Sequence, residues 1–233
     1  MKKTILSLSL AAVMLLSLFA FTACGSPLDG NDALAAMKYV DEQMANVKGF
    51  DVKVTMTQDG DSTEMLMKLD ISGEDKKMYM ETEMEGIGVK ATVVDGTMYM
   101  IVSMAGVTLK QKTTDADTIN EMMGELDSVN SEYEYASAEF VSREDGKYVI
   151  KATLDEASAK EEIGEIEGVT LTDPKVTVTY ECGKDGKVTK MTIDSSYKLD
   201  GESISTKIEM VFTSLEIPTI TAPEDADEYQ DLL

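Results

Sequence analysis

The sequence predicts an α+β fold: a curled antiparallel β-sheet (half-barrel) with about three helices covering its concave apolar face. Three observations predict it. Apolar and polar residues alternate over many short stretches, the period of half-buried strands. Asp-Gly, Ala-Gly and similar dipeptides separate these stretches at hairpin spacing. Three other segments repeat apolar residues every three or four positions, and they fall between strand blocks. A sheet this long curls, and its apolar face requires cover.

The chain opens with Met1, Lys2 and Lys3, then an apolar run from Ile5 to Phe21 broken by Ser7, Ser9 and Ser17. A basic segment followed by an apolar one is the pattern of an export signal. The run ends in Phe21-Thr22-Ala23-Cys24, which resembles the bacterial lipobox, with Phe21 in place of the usual Leu. The resemblance implies that residues 1–23 are a lipoprotein signal peptide, that Cys24 carries a diacylglyceryl thioether, and that the new N-terminus is acylated. Two or three chains on one residue exceed the single-chain limit of marginal membrane binding. Two other outcomes stay open: cleavage after Gly25, with Ala23 and Gly25 as the small residues, and an uncleaved anchor. The lipobox resemblance implies a place on the extracytoplasmic face of a cell membrane.

Residues 24–31 read as the lipidated cysteine and a short tether, 32–218 as one domain, and 219–233 as an acidic tail. From Asp32 the spacing of Leu34, Met37, Val40, Met44 and Val47 predicts a helix, capped by Asn31 or Asp32 and ended by Gly49. Six strands follow. They begin with Val52, Val54 and Met56, then Met65, Met67, Leu69 and Ile71, then Met78, Met80 and Met84. They continue through Ile87–Val93, Met98–Val102 and Val107–Leu109. One face of this meander is apolar and the other charged. Ile119, Met122, Met123 and Leu126 predict a second helix, capped by Thr114 or Asp115. Two strands span Tyr133–Leu154 around "EDGK". A third helix fits "DEASAKEEIGEIEG", with Thr153 and Glu156 at capping-box spacing. Three strands, Lys175–Glu181, Val188–Leu199 and Ser203–Thr213, complete the body. The Pro-bearing acidic end is expected extended over a sheet edge, then frayed.

The order of elements, the lipobox, the "VDGTMYM" stretch at Val94–Met100 and the closing "LEIP" resemble the LolA/LolB/LppX-like lipoprotein superfamily, over about Asp32 to Pro218. The resemblance implies an unclosed β-barrel wrapped over helices around an apolar cavity for acyl chains. The Arg implicated in acceptor steps in some members has no counterpart, since Arg143 falls in a polar turn.

The chain carries 17 Met and no His or Trp. Three Met-x-Met pairs, Met65/Met67, Met78/Met80 and Met98/Met100, put thioethers on one side of their strands. With Met191 and Met210 they are the candidate lining of the cavity. Three readings of this face compete: core packing, an adaptable pocket for a lipid or other hydrophobic ligand, and a Cu(I) site. Without His the commonest metal ligand and general base are missing. Acidic pairs such as Asp59/Asp61 and Asp115/Asp117 sit where turns and helix caps use Asp anyway. No nucleophile elbow, Walker loop or Cys-x-x-Cys occurs in the sequence. Few aromatics argue against a sugar-binding platform. A net charge of −23 disfavours nucleic acid as a partner. Cys182 has no partner if Cys24 is lipidated, and it reads as a small residue at a strand end. The expectation is a non-enzymatic lipoprotein, without cofactor or metal, that binds a hydrophobic ligand. The alternative is a structural or interaction protein of the cell envelope with a filled core.

Overall fold

The computed structural model describes residues 26–58, 60–73, 75–127, 134–163 and 171–232. The residues expected to form a signal peptide, 1–23, and Cys24 lie outside the described residues, as do Asp59, Tyr133 and Ile166. The architecture is mostly β, one large unclosed sheet of twelve strands with three helices. Helix α1 (Ala33–Ala45) leads into a six-stranded meander: β1 (Gly49–Gln58), β2 (Asp61–Asp70), β3 (Lys77–Met84), β4 (Ile87–Val94), β5 (Thr97–Met104) and β6 (Val107–Thr113). Helix α2 (Ala116–Asp127) precedes β7 (Tyr135–Glu144) and β8 (Lys147–Leu154). Helix α3 (Glu156–Ile163) precedes β9 (Leu171–Gly183), β10 (Val188–Leu199) and β11 (Glu202–Ser214). A two-residue strand, β12 (Gln230–Asp231), closes the chain.

The strand order is β12-β6-β5-β4-β3-β2-β1-β11-β10-β9-β8-β7. Neighbours are antiparallel except β12, which runs parallel to β6. Tight turns fix the hairpins. At Asp95-Gly96 and Ala105-Gly106 both central residues have positive φ, the geometry of a two-residue turn that follows the sheet's twist. Pairing of β1 with β11 joins the meander to the later strands.

The helix caps are local and specific. Asp32 accepts from the Leu34 and Ala35 N–H groups, each at 3.0 Å. Asp115 accepts from the Thr118 N–H at 3.1 Å. For α3 the cap differs from the capping box expected at Thr153 and Glu156: Asp155 accepts from the Ser158 N–H at 2.8 Å. Asp155 immediately precedes the helix, where a carboxylate reaches free N–H groups best.

One core joins the helices to the sheet. Ala36, Met37 and Val40 of α1 share a buried cluster with Ile150, Val178 and Tyr180. Helix α1 lies against β7, β8 and β9, and α3 against β8 and β9. Ile119 and Met123 of α2 and Ala159 of α3 enter the same cluster. Part of the segment read as a tether is docked too. Leu28 is fully buried, and the Tyr148 hydroxyl donates to Asp29 at 2.5 Å.

The C-terminal end does not fray. Ile220 and Tyr229 are buried, and Gln230–Asp231 pairs with Gln111 and Lys112 of β6. Its acids are the reason. Lys110 donates to Asp225 at 2.5 Å and also to Glu228, which pins the segment to the sheet.

Candidate functional site

Directly opposed residues of an antiparallel pair project to the same face, so the register shows which methionines meet. Met67 lies opposite Met80, Met80 opposite Ala91, and Ala91 opposite Met100. Next to this row, Met78 is opposite Val93, and Val93 opposite Met98. On the other side, Met65 is opposite Val54, Val54 opposite Met210, and Met210 opposite Met191. The strands thus bring all eight expected lining methionines onto one face of the sheet.

Their environments differ. Met78, Met98 and Met191 are buried in the core cluster. Met65, Met67, Met80, Met100 and Met210 are half-buried. A further row lies at the hairpin ends: Met84 opposite Ile87, Ile87 opposite Met104, and Met104 opposite Val107. All four are exposed, Met104 at 56% and Val107 at 61%. Sequence reasoning did not assign this row to the site. Its signal is two two-residue turns, Glu85-Gly86 and Ala105-Gly106, each flanked by apolar residues.

Electrostatics mark the covered part of the face. The Tyr135 hydroxyl donates to Asp41 of α1 at 2.8 Å. Burial pushes the Asp41 carboxyl above its ordinary range, against hydrogen bonds from Tyr135 and Tyr180 that favour the anion. Cys182 is buried near the end of β9, and burial with nearby Asp185 pushes its thiol up to about 11. The thiolate is therefore scarce at neutral pH, and the residue acts as a small apolar filler.

Among the described residues no group of three or more His, Cys, Asp or Glu side chains is placed to hold a metal. Asp115 is occupied in capping α2. No helix among them is long and apolar enough to cross a membrane.

The opposite face is polar and grooved. Lys68, Tyr79, Thr92 and Tyr99 form one cross-strand row there, and Leu66, Glu81, Lys90 and Ile101 the next. The C-terminal segment crosses beside these rows and leaves a groove of about 600 Å³. A second groove, about 480 Å³, is lined by Lys151, Lys175 and Lys207 with serine and threonine hydroxyls.

Compared with known proteins, the chain matches no family model, and no curated protein matches it.

Proposed function

We propose that the chain is a bacterial lipoprotein, anchored through Cys24 on the extracytoplasmic face of a membrane, that holds an acyl chain or lipid against its methionine face without catalysing a reaction. The observation that carries this reading is the register. It collects the thioethers on one face and leaves the outer rows open, with Met84, Met104 and Val107 exposed. Methionine is unbranched and polarisable, and it re-packs around ligands of varied shape. The LolA/LolB/LppX-like resemblance supports the same reading, with the sheet curling as a half-barrel and the helices on its concave side. A second reading, an envelope interaction protein with a filled core, draws on the burial of Met78, Met98 and Met191.

Titration of the full-length chain with a fluorescent fatty acid tests the ligand. Saturable uptake is expected, weakened about tenfold or more by Met100→Glu, which places a charge among apolar side chains. Absence of uptake contradicts the reading. For the anchor, Cys24→Ala is expected to release the protein from membranes, and full retention of that variant would sink the lipobox assignment.

A further inference from the structure

On the face opposite the methionines, the closing segment and the sheet enclose the groove of about 600 Å³, within the size range of small-molecule sites. Three of the chain's nine tyrosines gather here: Tyr79 and Tyr99 on the floor and Tyr229 on the wall. Low aromatic content in the sequence argues against a sugar platform. Folding concentrates the few aromatics because Tyr79 and Tyr99 both lie opposite Thr92.

The polar groups on the floor are fixed before any ligand arrives. The Tyr79 hydroxyl donates to Glu81 at 2.6 Å, and Lys90 pairs with Glu81 at 2.8 Å. Burial and the hydrogen bond to Glu81 push the Tyr79 hydroxyl up to about 12, so it stays a donor. Lys68 pairs with Asp51 at 3.4 Å, and Lys110 with the segment's Asp225 and Glu228. Glu224 lines the groove as well, so acids outnumber lysines around it, which disfavours an anionic ligand. The Tyr229 ring meets Tyr99 edge to face, with centroids 5.4 Å apart, and Tyr229 is only 4% exposed. Its hydroxyl is buried without a hydrogen-bond partner among the described residues. Leaving such a group unpaired costs about 1–3 kcal/mol, and a ligand seated beneath the segment supplies the missing partner.

We infer that this groove binds a neutral saccharide unit. The ring's C–H face packs on Tyr79, and its hydroxyls exchange hydrogen bonds with Glu81, Lys90, Thr92 and Tyr229. A neutral polyol matches the aromatic floor and the unpaired hydroxyl together, and it avoids the repulsion that the acidic excess would impose on an acidic sugar. The site is separate from the methionine face, so it stands whether or not that face takes lipid.

Saturation-transfer NMR on the full-length chain tests it, with maltotriose and triacetylchitotriose as probes. Transfer to the ring protons of at least one probe is expected. Tyr79→Leu, at a half-buried position, is expected to weaken binding about tenfold, the loss of one anchoring aromatic. Lys175→Gln, in the other groove, leaves binding unchanged. No transfer to either probe at about 10 mM, a concentration that reveals even millimolar affinity, overturns the proposal. Transfer that survives Tyr79→Leu, in a variant whose thermal unfolding matches the parent, also overturns it.

Discussion

Strands β8–β11 and strands β2–β6 carry the same alternating pattern, yet their apolar faces end in different states. In the later block α1 and α3 lie against the sheet, and Ile150, Val176 and Val178 are completely buried. In the meander the burial fades along each hairpin. Met78, Val93 and Met98 are buried, the methionines of the next rows are half-buried, and Met84, Ile87, Met104 and Val107 are exposed. Alternation fixes which face a residue takes, and the element packed across that face decides how deeply it is buried. The meander's other face carries the closing segment instead. One half of the sheet is thus sealed on its apolar side, and the other is braced on its polar side.

The largest expected effect contrasts two truncations. Ile150→Ala empties a fully buried position, at a cost of about 3 kcal/mol. Met104→Ala, at a 56% exposed one, changes stability by less than about 0.5 kcal/mol. Urea midpoints measure both, and equal losses would break the contrast between the halves.

The seam between the halves gives the next effect. A Cβ on Gly49 would lie 2.7 Å from the Ile217 Cα and 2.9 Å from the Leu69 carbonyl oxygen. Both are backbone atoms that cannot swing aside. Gly49→Ala is expected to cost about 2 kcal/mol through overpacking, read from the thermal midpoint. A neutral result would mean that the closing segment is not held against β1.

A smaller effect depends on pH. Hydrogen bonds from Lys190 and Lys207 hold the Glu209 carboxyl down at about 2, against an ordinary 4.5. A lowered native value means that acid protonates the unfolded chain first. The stabilisation is present above pH 4.5 and disappears as pH falls to about 2. The group is partly exposed, so its worth is below about 1 kcal/mol. The stability difference between the parent and Glu209→Gln, followed by urea unfolding across that window, is expected to vanish at the acid end. A difference independent of pH would contradict the ion pair.

The smallest effect is a gain. Ala105 holds φ 51°, a left-handed conformation that costs a residue with a side chain. Ala105→Gly is expected to stabilise the β5–β6 hairpin by about 0.5 kcal/mol. A loss in thermal midpoint would show that this turn is formed differently.

Much of this was legible because it is local. Dipeptides such as Asp95-Gly96 mark the hairpins, and the six-stranded meander follows from them. Asp32 and Asp115 cap helices where their sequences suggest. The Met-x-Met pairs predict one shared face, and the register brings them together there. The distant parts were not legible. The bond between Thr213 and the Asp51 carbonyl spans 162 residues, and no local pattern encodes that pairing. The closing segment reads as frayed beyond the sheet edge because its anchor, Lys110, is 115 residues away from Asp225. The tyrosine groove was hidden for the same reason. Tyr79, Tyr99 and Tyr229 are scattered in sequence and meet only through the sheet and the segment that crosses it.

Photo-crosslinking of the full-length chain with a diazirine-bearing fatty acid, mapped by peptide mass spectrometry, tests the central claim most directly. The account predicts labels on methionine-face residues of β2–β6, around Met65, Met100 and Met104, and few on β7–β9 beneath α1. Labels confined to the tyrosine groove, or spread over the surface without preference, would contradict it.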